Sequence, residues 1–138
     1  MVVNETEVMP IFADTDAMQI VYHGTYVTWM ELGRTKLMEK PLRAYEKKIG
    51  QQIWLPIIAL DIRYKTPAKL YEKLVVRTKV KSMKAATIEF EYEIVNKETG
   101  EVHVTGTTKH PLTDTDLNPL NIKKHHTELY DTIIKMMK

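Results

Sequence analysis

Hydrophobic and polar positions divide the chain into stretches of different period. Residues 2–13 are rich in Val, Ile and Phe and suit a strand. A polar loop, DTDAMQIVYHG, follows, and a helix then fits Thr25 to Glu39. Its apolar positions Tyr26, Met30, Gly33 and Leu37 are spaced four, three and four apart, which puts them on one face. Thr25 can cap that helix, and Thr28 with Glu31 also matches a capping box, so two starts stay open. Pro41 is predicted to end the helix, with a short helical piece in LRAYEKKIG closing at Gly50.

From Gln51 onward the period becomes alternating. In KLVVRTKVK the residues Leu74, Val76, Thr78 and Val80 alternate with Val75, Arg77, Lys79 and Lys81. In TIEFEYEIV, Ile88, Phe90, Tyr92 and Ile94 alternate with Glu89, Glu91, Glu93 and Val95. A hairpin turning around Ser82–Ala85 would lay a basic polar face beside an acidic one, each cross-strand pair contributing about 0.2–1 kcal/mol. A one-residue slip would drive the glutamates into the core, so the register is well specified. A turn around Gly100 leads into a further strand, VHVTGTTKHPL. Residues 111–121 read as loop, and a last helix fits Ile122 to Met137. One strand, a long helix, several antiparallel strands and a terminal helix make an α+β chain whose helix needs a sheet to cover it.

Composition narrows the function more than the fold. The 138 residues suit one domain, 1–138, and a net charge of +2 argues against a dedicated nucleic-acid binder. With no cysteine, a disulfide framework, a thiolate nucleophile and a cysteine zinc site are all excluded. The N-terminus lacks a basic region followed by an apolar run, and WLPIIAL at 54–60 is too short to span a bilayer. A cytoplasmic protein without membrane or nucleic-acid partners is therefore expected. His103 and His110, seven apart on a strand, should face opposite sides and not share a metal, and no metal site is expected. His125 and His126 are expected to face solvent.

The tripeptide Asp-Thr-Asp occurs twice. Asp114, Asp116 and Asn118 have the first spacings of an EF-hand loop, but Pro119 replaces the required glycine and His125 the bidentate glutamate. That copy reads as a turn. Asp14-Thr15-Asp16 instead runs into the start of the long helix, with His23 and Gly24 at the junction. Unpaired N–H groups and the positive end of the helix dipole gather there. Asp16 as base or nucleophile beside such donors would make an acyl-transfer site without serine or cysteine, although spacing alone favours an acidic turn preceding a helix.

The stretch ADTDAMQIVYHGTYVTWMELGRTKLME resembles the signature of the hotdog-fold acyl-CoA thioesterases of the 4-hydroxybenzoyl-CoA thioesterase type. The matching residues are Asp14, Thr15, Asp16, Val21, Tyr22, His23, Tyr26, Glu31 and Arg34. Pro67-Ala68 and GTTKH at 106–110 are similar to later family segments, and the likeness spans most of residues 5–112. It implies an antiparallel sheet wrapped around one long central helix, a dimer or tetramer, and active sites at the dimer interface near each helix start. The implied reaction is hydrolysis of a thioester to a carboxylic acid and free coenzyme A, with no cofactor beyond the coenzyme A of the substrate. Asp16 matches the catalytic carboxylate, and His23 matches the residue whose backbone N–H polarises the thioester carbonyl. Gln19, Tyr22, Gly24 and Tyr26 are the matching candidates for substrate binding.

The sequence departs from the family at Gln19, where glycine is usual. Glycine there would permit a positive φ or close backbone approach. Glutamine leaves open a narrowed acyl pocket, an added amide donor, or weakened catalysis. Two alternatives to hydrolysis of acyl-CoA follow: a non-catalytic acyl-CoA-binding or regulatory module, and a thioesterase acting on acyl carrier protein.

Overall fold

The computed structural model describes residues 1–138. Five strands form one antiparallel sheet in the order β1-β3-β4-β5-β2. They are β1 (Asn4–Val8), β2 (Ala59–Tyr64), β3 (Leu74–Met83), β4 (Thr87–Asn96) and β5 (Val102–Pro111). The first strand is shorter than expected, because Pro10 interrupts it and Phe12–Asp14 coil into a 3-10 turn.

The β3–β4 hairpin has the expected register. Arg77 stands opposite Glu93 and Lys79 opposite Glu91, with Lys81 reaching Glu89 across a bulge after Val80. The other face of these strands, from Leu74, Val76 and Val80 to Phe90, Tyr92 and Ile94, is buried. Alternation of period two therefore separates the solvated ion-pair ladder from the core.

The sheet wraps around α1 (His23–Met38), which lies against β1, β3 and β4. Tyr26, Met30, Gly33 and Leu37 are all buried on the predicted face. Gly33 is required where the helix meets β3: a Cβ there would come within 2.2 Å of Thr78 Oγ1. This is the hotdog arrangement implied by the resemblance.

The helix differs from the expected one at both ends. It begins at His23, and neither Thr25 nor Thr28 caps it; the N-cap is Tyr22, with no side-chain cap. The Thr25 hydroxyl instead donates to the Asp14 carbonyl, tying the helix start to the preceding loop. Nor does Pro41 end the helix. Residues Glu39–Arg43 widen into a π-turn, and α2 (Ala44–Ile49) continues to Gly50, whose left-handed φ of 66° closes it. The wider turn absorbs the N–H that proline lacks, so the helix is deformed and not broken.

The terminal helix is split into α3 (Ile122–His125) and α4 (Thr127–Met136). Asn121 caps α3 by accepting the Lys124 N–H, and His126 adopts a non-helical backbone between the two. His126 is half-buried and not solvent-facing: its ring hydrogen-bonds the Tyr45 hydroxyl at 2.8 Å, joining α2 to the C-terminal segment. His125 is exposed as expected. Leu129, Ile133 and Met136 of α4 complete the core.

Candidate active site

The loop after the 3-10 turn is a tight hairpin. The Asp16 N–H donates to the Ile20 carbonyl at 3.0 Å, the Gln19 N–H returns to the Asp16 carbonyl at 2.9 Å, and Thr15 bridges Val21. Within it the Asp16 carboxylate accepts the Met18 N–H at 2.8 Å through Oδ1. This is an Asx turn, the local chemistry that aspartate readily supplies. One oxygen orients the carboxylate, and Oδ2 makes no hydrogen bond within the protein.

Gln19 occupies the left-handed region, with φ of 62°. A residue with a Cβ is strained there, by about 1–2 kcal/mol, whereas glycine is not. The position therefore requires the conformation that the family glycine provides, and glutamine adopts it.

Tyr22, at φ −62° and ψ 137°, turns the chain from this loop into α1. The N–H groups of His23 and Gly24 have no acceptor in the protein, as the first N–H groups of an uncapped helix do not. They bring the partial positive charge of the helix start to the rim of a cleft.

That cleft, of about 390 Å³, is lined by Asp16, Met18, Ile20, Val21, His23, Tyr26, Tyr64, Lys65, Thr66 and Pro67. Its two walls, residues 16–26 and 64–67, are far apart in the sequence, and backbone hydrogen bonds join them. The Val21 N–H donates to the Ala68 carbonyl at 2.9 Å, and Ile20 bridges Lys69. Tyr26 is 2% exposed, and its hydroxyl accepts the Ala68 N–H at 3.2 Å. Burial pushes that phenol above its ordinary range. The Tyr64 hydroxyl donates to the His23 carbonyl at 3.1 Å, fixing the end of β2 beside the helix start.

Of the six candidates from the sequence, Asp16, His23 and Tyr26 line one cleft. Gln19, Tyr22 and Gly24 border it from the loop and helix entry. The exposed Tyr22 ring lies tilted against His23, with centroids 4.2 Å apart, and covers Gly24, where a Cβ would meet it at 2.7 Å. The sequence does not mark Tyr64 and Thr66: no periodicity signal identifies the end of an edge strand as the far wall of the cleft. Glu31 and Arg34 line a separate cleft with Trp54 and Gln52, and no ion pair joins them along the helix.

The remaining carboxylates and histidines have different surroundings. Asp114 accepts the Asp116 and Asn118 N–H groups, both at 2.9 Å, in a turn with no helix start beside it. The Asn118 N–H above all holds the Asp114 carboxyl below its usual range. His110 is buried, its Nδ1–H donating to the Leu55 carbonyl at 3.0 Å and its Nε2 2.8 Å from Thr108 Oγ1, and burial lowers its pKa. His103 contacts Thr66 and Glu72, so the two histidines have no partner in common.

The sequence profile of the thioesterase-like superfamily matches residues 11–127. The chain is 30% identical over 137 residues to the Bacillus subtilis protein YneP, whose name proposes an acyl-CoA thioesterase, covering 99% of each chain. It is 29% identical over 87 residues to the acyl-CoA thioester hydrolase YbgC of Escherichia coli O157:H7, covering 63% of this chain and 65% of that one. Among solved structures, a DHNA-CoA thioesterase from Staphylococcus aureus superposes with a TM-score of 0.83 at 30% identity, over 99% of this chain and 94% of that one.

Proposed function

The chain belongs to the thioesterase-like superfamily, and from that premise we propose that it is an acyl-CoA thioesterase whose chemistry is carried by Asp16 and the start of α1. The observation that carries this reading is one of position. An oriented carboxylate and a helix start with unpartnered N–H groups share one cleft, in a chain that has no cysteine to serve as nucleophile.

The reaction follows from those groups. The thioester carbonyl oxygen accepts the His23 N–H, with that of Gly24 beside it, where negative charge develops as the carbonyl carbon becomes tetrahedral. Asp16 either takes a proton from the attacking water or attacks the carbon itself to form a mixed anhydride that water then opens. Either route ends in the carboxylic acid and the coenzyme A thiol, and neither needs a further cofactor. A thioester has weak resonance stabilisation and a good leaving group, so a base contributing ~10²–10⁴-fold and a donor contributing ~10²–10³-fold are adequate help.

Self-association completes the proposal. β2 is hydrogen-bonded only to β5, leaving its other edge unpaired. The exposed side chains of Ile57, Ile58, Leu60 and Tyr64 lie on and beside it, and Tyr64 also lines the cleft. Unpaired apolar edges are normally covered, and a second copy would close the open side of the site. No helix is long and apolar enough to cross a membrane.

A binding module without turnover draws its motive from Gln19. Because Gln19 keeps the left-handed backbone, the substitution leaves the Asp16 turn formed, and that motive weakens. The test is thiol release from a panel of acyl-CoAs by the wild type and by Asp16→Asn. Turnover that falls by at least about 10²-fold in the variant supports the assigned mechanism. Equal rates in the two proteins would sink it.

A further inference from the structure

His103 stands where β5 carries an extra residue. Ile94 pairs with Val104 and Val95 with Val102, so His103 has no partner across the ladder. Such a bulge re-aims a side chain, and here it turns the ring toward the segment that forms the far wall of the cleft. Nδ1 lies 2.9 Å from Thr66 Oγ1 and 3.1 Å from the Thr66 carbonyl. Nε2 contacts the Glu72 carboxylate. Glu72 is itself held, accepting Asn96 Nδ2 at 2.8 Å and the Lys69 N–H at 3.0 Å. Burial pushes its carboxyl up, but these bonds and the one from His103 outweigh that, and it lies below its ordinary range.

A half-buried carboxylate, a buried imidazole and an exposed hydroxyl thus run in series to the pocket wall. The ring is 1% exposed, whereas Thr66 is exposed and lines the cleft. The backbone is anchored to the same residue, since the Lys65 and Thr66 N–H groups donate to the His103 carbonyl at 2.8 and 3.3 Å. A surface threonine hydroxyl ordinarily rotates freely. Here a buried ring occupies one of its hydrogen-bonding directions, and the others are left for whatever fills the cleft. The Tyr64 hydroxyl donates to the His23 carbonyl, and that of Tyr26 accepts the Ala68 N–H on a buried side chain.

We propose that Thr66 is a specificity-determining contact for the acyl group, selecting acyl groups that carry a hydroxyl substituent, and that His103 and Glu72 are positioning residues acting through it. A substrate hydroxyl suits this site because it both donates and accepts. It pairs with Thr66 whichever way the protons run along the chain to Glu72. The proposal rests on the thioesterase reading of the same cleft and adds to it a reason for substrate choice.

The test uses matched substrates: 3-hydroxybutyryl-CoA against butyryl-CoA, and a hydroxybenzoyl-CoA against benzoyl-CoA. The wild type is expected to favour the hydroxylated member of at least one pair by about tenfold in kcat/KM, the worth of one well-placed hydrogen bond. Thr66→Val should bring that ratio to about one, and Thr66→Ser should restore it. His103→Phe and Glu72→Gln should lower the ratio while leaving kcat for the unsubstituted member in place, which a merely structural role would not do. Should His103→Phe fold poorly, the two Thr66 variants decide the matter.

A ratio that is the same in wild type and Thr66→Val overturns the proposal. An equal loss on both members of a pair also overturns it, since the hydroxyl would then serve the pantetheine arm or the scaffold. Equilibrium binding of the same pairs to Asp16→Asn separates this proposal from the function it rests on. A binding preference that follows Thr66 without thiol release from the wild type keeps this proposal and removes the hydrolase. Thiol release with a preference indifferent to Thr66 does the reverse.

Discussion

Asp14-Thr15-Asp16 and Asp114-Thr115-Asp116 are the same three letters folded into two Asx turns with different consequences. In the second copy Asp114 Oδ1 accepts two backbone N–H groups and Oδ2 meets Asn118 Nδ2 at 3.3 Å. Both oxygens are occupied, and the turn is their purpose. In the first copy the two aspartates divide the work. Asp14 accepts the Ile11 N–H at 2.9 Å and closes the 3-10 turn, while Asp16 uses one oxygen on Met18 and keeps the other. Only this copy has a helix start with free N–H groups in the same cleft. A carboxylate becomes a candidate for chemistry through the valence its turn leaves over and through what stands opposite.

Several variants sharpen the contrast. After Asp16 itself, the largest loss is expected at the helix start. His23→Pro removes the proposed donor at the first helical position, where proline is tolerated, and Tyr22 already has the extended conformation that a following proline demands. Thiol release should fall by ~10²–10³-fold with little change in melting temperature. A folded variant that keeps full activity would break the assignment of this N–H.

Asp114→Ala should do the opposite, lowering the melting temperature and sparing turnover. The sign of its pH dependence is fixed by its depressed carboxyl, held down above all by the Asn118 N–H. A folded pKa below the unfolded one gives stability that is present above the unfolded value and is lost as pH falls through the folded one. The gap in melting temperature between wild type and variant should therefore be full at neutral pH and close in acid. A gap that widens in acid would contradict the turn role.

The smallest effect is expected at Gln19. Gln19→Gly relieves left-handed strain in the Asp16 loop and should raise stability by about 1 kcal/mol, as chemical denaturation would show. A loss of that size would mean that the glutamine side chain makes a compensating contact.

Much of this fold was legible in the letters because its periods are clean. The lysine and glutamate faces of β3 and β4 fixed their register, and Tyr26, Met30, Gly33 and Leu37 identified the buried side of α1. What escaped depends on partners distant in sequence. Thr25 looked like a cap, but the Asp14 carbonyl takes its hydroxyl. Pro41 looked like a stop, but a π-turn accommodates it. The bulge at His103 hides inside an alternating strand, so the sequence showed neither its contact with Thr66 nor the wall built on Lys65–Pro67. Gln19 was visible as a departure, and only the backbone showed that it had taken over the conformation of the glycine.

The contrast between the two copies comes down to one assay. Thiol release from a single acyl-CoA that the wild type hydrolyses should be measured for Asp16→Asn and Asp114→Asn at equal protein concentration and neutral pH. The expected result is a fall of ~10²–10⁴-fold for Asp16→Asn and a rate within about twofold of wild type for Asp114→Asn. Equal rates for the two variants, or a loss confined to Asp114→Asn, would contradict the assignment of the chemistry to Asp16.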